Sequence, residues 1–187
     1  MNQQLQFSIH PERPDDAAET RAVVEAAFSS SSFGHQGEAD LVDRLRESCR
    51  DCLSLVARHG DHIVGHVLFS PVVVEGGESL CGMGLAPMAV TPSFQRRGIG
   101  TLLITRGIEI LKERSCLFVC VLGWPDYYSR FGFQPAQRFG LDSEFGGAAD
   151  SMFQILWLAE QPATLTGGLV RYRPEFSSLA SGDHGDQ

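Results

Sequence analysis

The sequence predicts one domain of mixed helices and strands, either α+β or α/β, and three observations predict it. Its 187 residues are 43% apolar and 20% charged, which is an ordinary globular composition. Segments with strand and helix patterns follow one another in the order β-α-α-β-β-β-α-β-α-β-β. A long helical pattern lies between two apolar strands, which must be parallel neighbours if the crossover is right-handed. We see no internal repeat and no linker, so we expect a single domain over residues 1–176 and a disordered tail over 177–187.

The first half of the chain predicts an edge strand, two helices and a hairpin. Alternation marks the strands, and apolar residues at helical spacing mark the helices. Glu38 falls on the apolar face of the second helix, one turn before Leu41. In order, the segments are a strand at 5–10, a helix at 13–28, a loop at 29–37, a helix at 38–49 and a hairpin of 52–58 and 62–74.

The second half predicts a long helix between two strands, then a short helical turn and late strands. Pro87 cannot donate to a strand ladder, so it marks a bulge, a break or an edge. The strand that contains Cys120 is fully apolar, which is typical of a strand buried on both faces. The segments are a turn at 75–79, a strand at 82–90, a helix at 98–114, a strand at 116–123, a helical turn at 125–133 and strands at 153–160 and 168–176.

The charge of the chain excludes some partners. Fifteen Lys and Arg against 23 Asp and Glu give a formal charge of −8, which disfavours a phosphate backbone as the main partner and suits a cationic one. The longest apolar run, 117–122, is far shorter than the roughly 20 residues that span a bilayer. The first residues lack the basic-then-apolar order of a secretory signal. We therefore expect a cytoplasmic protein that binds neither nucleic acid nor membrane.

Cysteines and histidines suggest two further sites, and neither pattern is strong. Cys49 and Cys52 form a C-x-x-C pair, but no second pair stands at metal-ligand spacing, and the count of five cysteines is odd. His59, His62 and His66 are closely spaced, yet His59 lies across a predicted turn from the other two. We predict no disulfide framework and no metal site.

The segment SFQRRGIGTLLI, residues 93–104, places two arginines and two glycines at the start of the long helix. A helix start leaves about four N–H groups unpaired and carries a partial positive charge. Gly98 and Gly100 lack the Cβ atoms that would keep an anion away, and Arg96 and Arg97 add cationic reach. The spacing predicts an anion site, although Gly98 as a simple turn residue is the alternative. Neither the dinucleotide nor the nucleoside-triphosphate glycine pattern fits.

Two motifs in this order carry a resemblance to a known family. The segment VTPSFQRRGIGTLLI resembles the acetyl-CoA signature Q/R-x-x-G-x-G/A of the GNAT superfamily of N-acetyltransferases, and VLGWPDYYSRFGF resembles its second motif. The matching positions are Gln95, Gly98 and Gly100 in the first motif and Tyr128, Arg130, Gly132 and Phe133 in the second. Residues 85–136 contain both motifs, and the resemblance, which extends to the YhbS-like subgroup of bacterial acetyltransferases, covers about residues 5–160.

The resemblance implies an α+β fold with a mixed, largely antiparallel sheet whose central parallel pair splays apart. It implies acetyl-CoA as cosubstrate, with the pantetheine arm between residues 88–90 and 119–121. Main-chain groups of the first of these segments would hold the arm and polarise the thioester. The cofactor-binding residues implied are Met88, Ala89, Val90, Gln95, Arg96, Arg97, Gly98, Ile99, Gly100, Thr101, Tyr128 and Arg130. Gly123 and Trp124 stand where many members have an asparagine that touches the cofactor, so nothing is carried over there.

The implied reaction is acetyl transfer to a primary amine of a small molecule or peptide. The resemblance implies Tyr128 as the general acid beside the departing sulfur, and Tyr127 ranks second. Glu38 is our first candidate for the base, with Glu25 and Asp126 as alternatives, although water relays serve in many relatives. A covalent route through Cys120 is weaker because burial in an apolar strand raises a thiol pKa.

Two other functions are open at this point. The same fold could sense acyl-CoA without transferring anything, or it could bind a partner protein through its late strands. Thermal stabilisation by CoA without turnover indicates the sensor, and no stabilisation indicates the partner protein. The sequence leaves the acceptor and the oligomeric state open, a homodimer included.

Overall fold

The fold is that of a computed structural model. It describes residues 6–29, 37–75, 82–146, 151–161 and 167–177. Most of the predicted loop at 29–37, most of the predicted turn at 75–79 and the tail from residue 178 lie outside the described residues.

The described residues form four α-helices where helical spacing predicts them. They are α1 (Ala17–Ser29), α2 (Glu38–Ser48), α3 (Ile99–Glu113) and α4 (Pro125–Tyr128). A 3-10 turn over Pro14–Asp16 leads into α1, with Pro14 at a position where the missing N–H costs nothing. Gly132 has a φ of 91°, so it ends the segment after α4 in the left-handed conformation. No helix in the described part of the chain is long and apolar enough to cross a membrane.

The described residues form nine strands, of which two were not predicted. They are β1 (Ser8–Pro11), β2 (Leu53–His59), β3 (His62–Glu75), β4 (Gly82–Val90), β5 (Phe118–Leu122), β6 (Gln134–Pro135), β7 (Leu141–Ser143), β8 (Phe153–Trp157) and β9 (Gly168–Arg171). Strands β6 and β7 are too short for alternation to reveal them. Pro87 does not end β4, which continues to Val90.

The chain forms two compact units. Of the described residues, the first contains 6–29, 37–68, 87–107 and 177, and the second contains 69–75, 82–86, 108–146, 151–161 and 167–176. In the first unit β1 pairs antiparallel with β2, and α1 packs against α2. Its core contains the fully buried side chains Leu41, Leu45, Leu55, Ile99 and Leu103.

In the second unit β4 and β5 are parallel, as the right-handed crossover predicts. Their paired residues run from Gly82 with Phe118 to Gly84 with Cys120. Strand β8 pairs antiparallel with both β5 and β6, while β9 is antiparallel to β3 and parallel to β7. Helices beside a mixed sheet with mostly antiparallel pairs confirm the α+β prediction over α/β.

Candidate active site

The loop before α3 has the geometry of an anion-binding turn. Arg96 and Gly98 have positive φ values of 60° and 85°. The Leu102 N–H donates to the Gly98 carbonyl at 3.0 Å, which is the first hydrogen bond of the helix. The N–H groups of 99–101 lie in the first turn, where the residues four positions earlier are not helical and leave these amides without a partner inside the helix. A Cβ atom at Gly98 would meet no other atom within 4 Å, so the loop borders open space. An anion can therefore approach these amides.

Neighbouring side chains hold this loop in place. Gln95 Nε2 donates to the Val90 carbonyl at 3.1 Å, which links the loop to the end of β4. The Phe94 ring lies 5.5 Å from the His59 ring, and the Arg97 guanidinium lies 5.3 Å from the centre of the Phe94 ring. Arg97, like Arg96, is exposed, so its charge is accessible from solvent. The loop thus combines unpaired amides with two accessible cations.

The end of β4 lies beside β3 within the first unit. The Thr91 N–H donates to the Val64 carbonyl at 3.0 Å, and a Cβ atom at Gly65 would lie 3.3 Å from the Ala89 carbonyl oxygen. Ala89 is buried, while Met88 and Val90 are half-buried. The strand segment that the resemblance assigns to the pantetheine arm therefore has β3 at one side.

Tyr128 belongs to the second unit, where aromatic rings enclose it. Its ring centre lies 5.0 Å from that of Tyr127 and 5.6 Å from that of Phe133. A Cβ atom at Gly123 would lie 2.2 Å from Tyr128 Cε2, so only glycine leaves room for this ring. Burial, with a smaller effect of Tyr127, raises the pKa of the Tyr128 hydroxyl well above its usual value. The hydroxyl therefore stays protonated throughout the neutral and mildly alkaline range.

Arg130 follows Tyr128 on the next turn. Its guanidinium lies 4.5 Å from the centre of the Tyr127 ring, a cation–π distance, and its side chain is exposed. Tyr127 thus packs against Arg130 and Tyr128, and its place as the second-ranked acid stays a prediction. The contact between Arg130 and a cofactor stays a prediction.

The three candidate carboxylates differ in burial. Glu38 is the first residue of α2 and is only 7% exposed, and its Oε2 accepts from the Gly37 N–H at 3.3 Å. Glu25 is exposed and pairs with Arg21 Nε at 2.8 Å, and Asp126 is exposed. Glu38 is thus the buried member of the set. Its catalytic role stays a prediction.

Cys120 has the properties of a structural cysteine. Burial raises the pKa of its thiol to about 12, and its Sγ lies 3.5 Å from the Tyr172 hydroxyl. A thiol of that pKa is almost entirely protonated at pH 7, so it is a poor nucleophile. Among the described residues, no three His, Cys, Asp or Glu side chains are grouped so as to hold a metal ion.

A buried polar cluster in the first unit was not predicted from the sequence. Ser54 Oγ donates to Glu12 Oε2 at 2.5 Å and lies 2.8 Å from His66 Nε2. Arg46 Nη2 donates to Glu12 Oε1 at 2.7 Å. Burial lowers the pKa of His66 to about 4, against the opposing effect of Glu12. These residues come from β2, β3, α2 and the residue after β1, so their proximity depends on strand pairing that the sequence does not show.

The family follows from comparison with known proteins. A sequence model of the Acetyltransferase (GNAT) family matches residues 20–133, more than half of the chain. The chain belongs to this family. Both motifs singled out in the sequence, up to Phe133, lie within the matched region, so the resemblance is confirmed.

Relatives within the GNAT family resemble the chain over most of its length. YhbS of Escherichia coli K12, named as an uncharacterized N-acetyltransferase, is 36% identical over 170 residues, which are 90% of this chain and 98% of YhbS. YjhQ of the same organism, named in the same way, is 38% identical over 167 residues, which are 86% of this chain and 90% of YjhQ.

Solved GNAT structures confirm the fold. The crystal structure of E. coli YhbS in complex with CoA superposes with a TM-score of 0.82 at 36% identity, covering 92% of this chain and 93% of that one. A GNAT family acetyltransferase from Brucella melitensis in complex with acetyl-CoA gives a TM-score of 0.77 at 35% identity, covering 92% of this chain and 99% of that one.

Proposed function

We propose that this protein transfers the acetyl group of acetyl-CoA to a primary amine of a small molecule or peptide. The observation that carries the proposal is the turn before α3, where the unpaired amides of 99–101 and the space beside Gly98 leave room for a phosphate group. The family and the two solved relatives, which contain CoA and acetyl-CoA, agree with it.

The backbone strain of this loop also supports binding. Arg96 adopts a φ of 60° although it is not glycine, a conformation that costs about 1 kcal/mol or more. Strained residues of this kind persist only where the surrounding structure enforces their conformation, and they are concentrated at active sites and ligand-binding sites. The amides of residues 96–101 bind the diphosphate in our proposal, and the guanidinium groups of Arg96 and Arg97 screen its charge.

The main chain of Met88–Val90 holds the pantetheine arm and polarises the thioester carbonyl in this proposal. The amine nitrogen then forms a bond with the carbonyl carbon, and the carbon–sulfur bond breaks. Direct attack is consistent with the buried, protonated thiol of Cys120, which is unsuited to an acetyl-enzyme intermediate.

Tyr128 assists departure of the sulfur. An ordinary tyrosine with a pKa of about 10 gives up its proton to a thiolate of pKa about 8.5 at a cost of roughly 2 kcal/mol, and burial raises this cost further. We therefore propose that Tyr128 acts mainly as a hydrogen-bond donor to the developing thiolate. Glu38 draws the first proton from the substrate ammonium, whose pKa of about 10 keeps it charged at pH 7.

The test measures thiol release from acetyl-CoA in the presence of amino acids, polyamines, aminoglycosides and short peptides. Turnover with at least one amine, together with a higher melting temperature in CoA, is the expected result. Stabilisation by CoA without turnover on any amine would instead indicate an acyl-CoA sensor of the same fold. The absence of both effects would contradict the proposal.

A further inference from the structure

Gln154 is a polar side chain in the buried interior of the second unit. It lies on β8, where it pairs with Val121 of β5 on one side and with Pro135 of β6 on the other, and it is only 1% exposed. Its neighbours along the strand, Phe153 and Ile155, are buried and apolar. An amide buried in such surroundings costs free energy unless it is hydrogen-bonded, so its partner indicates why a polar residue stands here.

The side-chain amide of Gln154 holds the main chain directly after β5. Its Nε2 donates to the Gly123 carbonyl at 2.8 Å, and because a carbonyl can only accept, this contact fixes the orientation of the amide. The Gly123 N–H donates to the Met152 carbonyl at 3.1 Å. Both polar groups of the Gly123 main chain are therefore bound by β8 or by the residue that precedes it.

Gly123 is also the residue against which the Tyr128 ring packs. A Cβ atom at Gly123 would lie 2.2 Å from Cε2, 2.9 Å from Cδ2 and 3.2 Å from Cζ of Tyr128, so one edge of the ring lies against this glycine. The Tyr128 N–H donates to the carbonyl of the residue after Gly123, Trp124, at 3.2 Å. A displacement of the 123–124 main chain would therefore move the Tyr128 ring and its hydroxyl.

We propose that Gln154 is a positioning residue, which holds the Tyr128 hydroxyl at the departing sulfur by fixing Gly123. The inference rests on the proposed function, in which this hydroxyl donates a hydrogen bond to the developing thiolate. Such a bond weakens steeply as its geometry departs from the best one, so a misplacement of about 1 Å slows the reaction. The contacts run from Gln154 Nε2 through Gly123 to the Tyr128 ring, entirely within the second unit.

A purely structural role for Gln154 is the alternative, and it predicts a different result. Loss of a buried hydrogen bond lowers the free energy of unfolding whether or not the bond acts on Tyr128. It lowers kcat of the folded protein only if the Tyr128 hydroxyl is displaced. Kinetic measurements that are corrected for the folded fraction therefore separate the two roles.

Gln154→Met removes the amide and keeps a side chain of similar length. With the amine from the panel that wild type acetylates fastest, we expect kcat to fall about fivefold or more, with the KM for acetyl-CoA within about twofold of wild type. The fall should not exceed that of Tyr128→Phe, because Gln154 acts through this hydroxyl. In the Tyr128→Phe background, Gln154→Met should change kcat by less than about twofold, since no hydroxyl remains to be positioned.

Cys116→Ala is the matched control. It removes the 3.2 Å contact of a buried side chain with the Phe118 carbonyl, near the start of β5 and therefore at the opposite end of that strand from Gly123. We expect this substitution to lower stability and to leave kcat of the folded protein unchanged.

Gln154→Glu makes the same contact dependent on pH. A carboxyl group donates to the Gly123 carbonyl only when it is protonated, and its ionised form repels that carbonyl. Burial raises the pKa of a carboxyl, so lowering the pH from about 9 to about 6 should restore the donor. The ratio of kcat in Gln154→Glu to kcat in wild type at the same pH should therefore rise as the pH falls. Taking this ratio removes the titration of the substrate amine.

Nitrogen-15 NMR of the wild-type protein covers the case in which the variants do not fold. The Gln154 side-chain amide should exchange its hydrogen-bonded proton with water slowly. Exchange as fast as that of an exposed glutamine, a Gln154→Met kcat within about twofold of wild type, an undiminished effect of Gln154→Met in the Tyr128→Phe background, or a Gln154→Glu ratio that stays low at every pH would overturn the inference.

The proposed function fails in a different way. Lack of wild-type turnover with every amine would contradict the proposed function and, with it, this inference. An active wild type with any of the four results above would contradict this inference alone.

Discussion

Lowering the pH should reduce the free energy of unfolding of this protein, because His66 is buried as a neutral ring. The pKa of this group is about 4 in the folded chain against 6.5 for an ordinary histidine, because burial favours the neutral ring. Between these two values the unfolded chain binds a proton that the folded chain does not bind. The free energy of unfolding therefore rises with pH across this window. The contribution of the neutral His66 ring is fully present above pH 6.5 and is lost as the pH falls toward 4.

The size of the effect follows from the two pKa values. A difference of one pKa unit between the folded and unfolded chain corresponds to about 1.4 kcal/mol. The interval between the two pKa values of His66 lies between pH 7 and pH 4. From pH 7 to pH 5 the linkage relation gives a loss of about 2 kcal/mol from His66 alone. The lowered pKa of Glu12 has its effect at lower pH, because an acid of depressed pKa loses its contribution only as the pH falls toward that pKa.

Urea unfolding at pH 7 and pH 5 measures the difference directly. His66→Gln stays neutral throughout, so its loss of stability over this range should be smaller than that of wild type by about 2 kcal/mol. His62→Gln is the matched control, since the His62 side chain is 85% exposed, and it should follow wild type. An equal loss in wild type and His66→Gln would refute the assignment of a buried, neutral His66.

Three further substitutions test the site. Tyr128→Phe should lower kcat by about tenfold or more and leave CoA affinity within about twofold, and an unchanged kcat would remove Tyr128 from the reaction. Gly98→Val should raise the Kd for CoA by about tenfold or more, because a side chain would enter the space where we place the phosphate. Gly146→Val, at a residue with φ of 53° and the same open surroundings, imposes similar backbone strain away from the loop, and equal weakening of CoA binding in both would argue against the phosphate site. Gly123→Ala should lower the free energy of unfolding by about 1–3 kcal/mol and slow turnover, since its Cβ would lie 2.2 Å from the Tyr128 ring; full stability would show that the ring moves freely.

The parts of the fold and site that depend on local sequence could be predicted. The start of α3 follows from glycines, arginines and an apolar stripe within one short segment, and the structure places the helix start at Ile99. Strand β5 is apolar throughout because both of its faces are buried, so its composition alone marks it. The parallel pairing of β4 with β5 followed from the helix between them.

The parts that depend on pairing between distant segments could not be predicted. His66 attracted notice only as a metal ligand, whereas its contacts are Ser54 on the neighbouring strand and Glu12, which is far away in sequence. Alternation along β3 predicts the face of the sheet on which His66 lies, but it does not predict which residues contact that side chain. Strands β6 and β7 have two and three residues, too few for a periodic pattern. Tyr172 likewise reaches Cys120 only through the folding of β9.

Backbone NMR during a titration with CoA tests the central claim most directly. If the turn before α3 binds the diphosphate, the amide resonances of residues 96–101 should shift on addition of CoA and reach saturation, and in Gly98→Val the same shifts should require about tenfold or more higher CoA. Amides that stay unchanged at millimolar CoA, or shifts confined to other parts of the chain, would contradict the account.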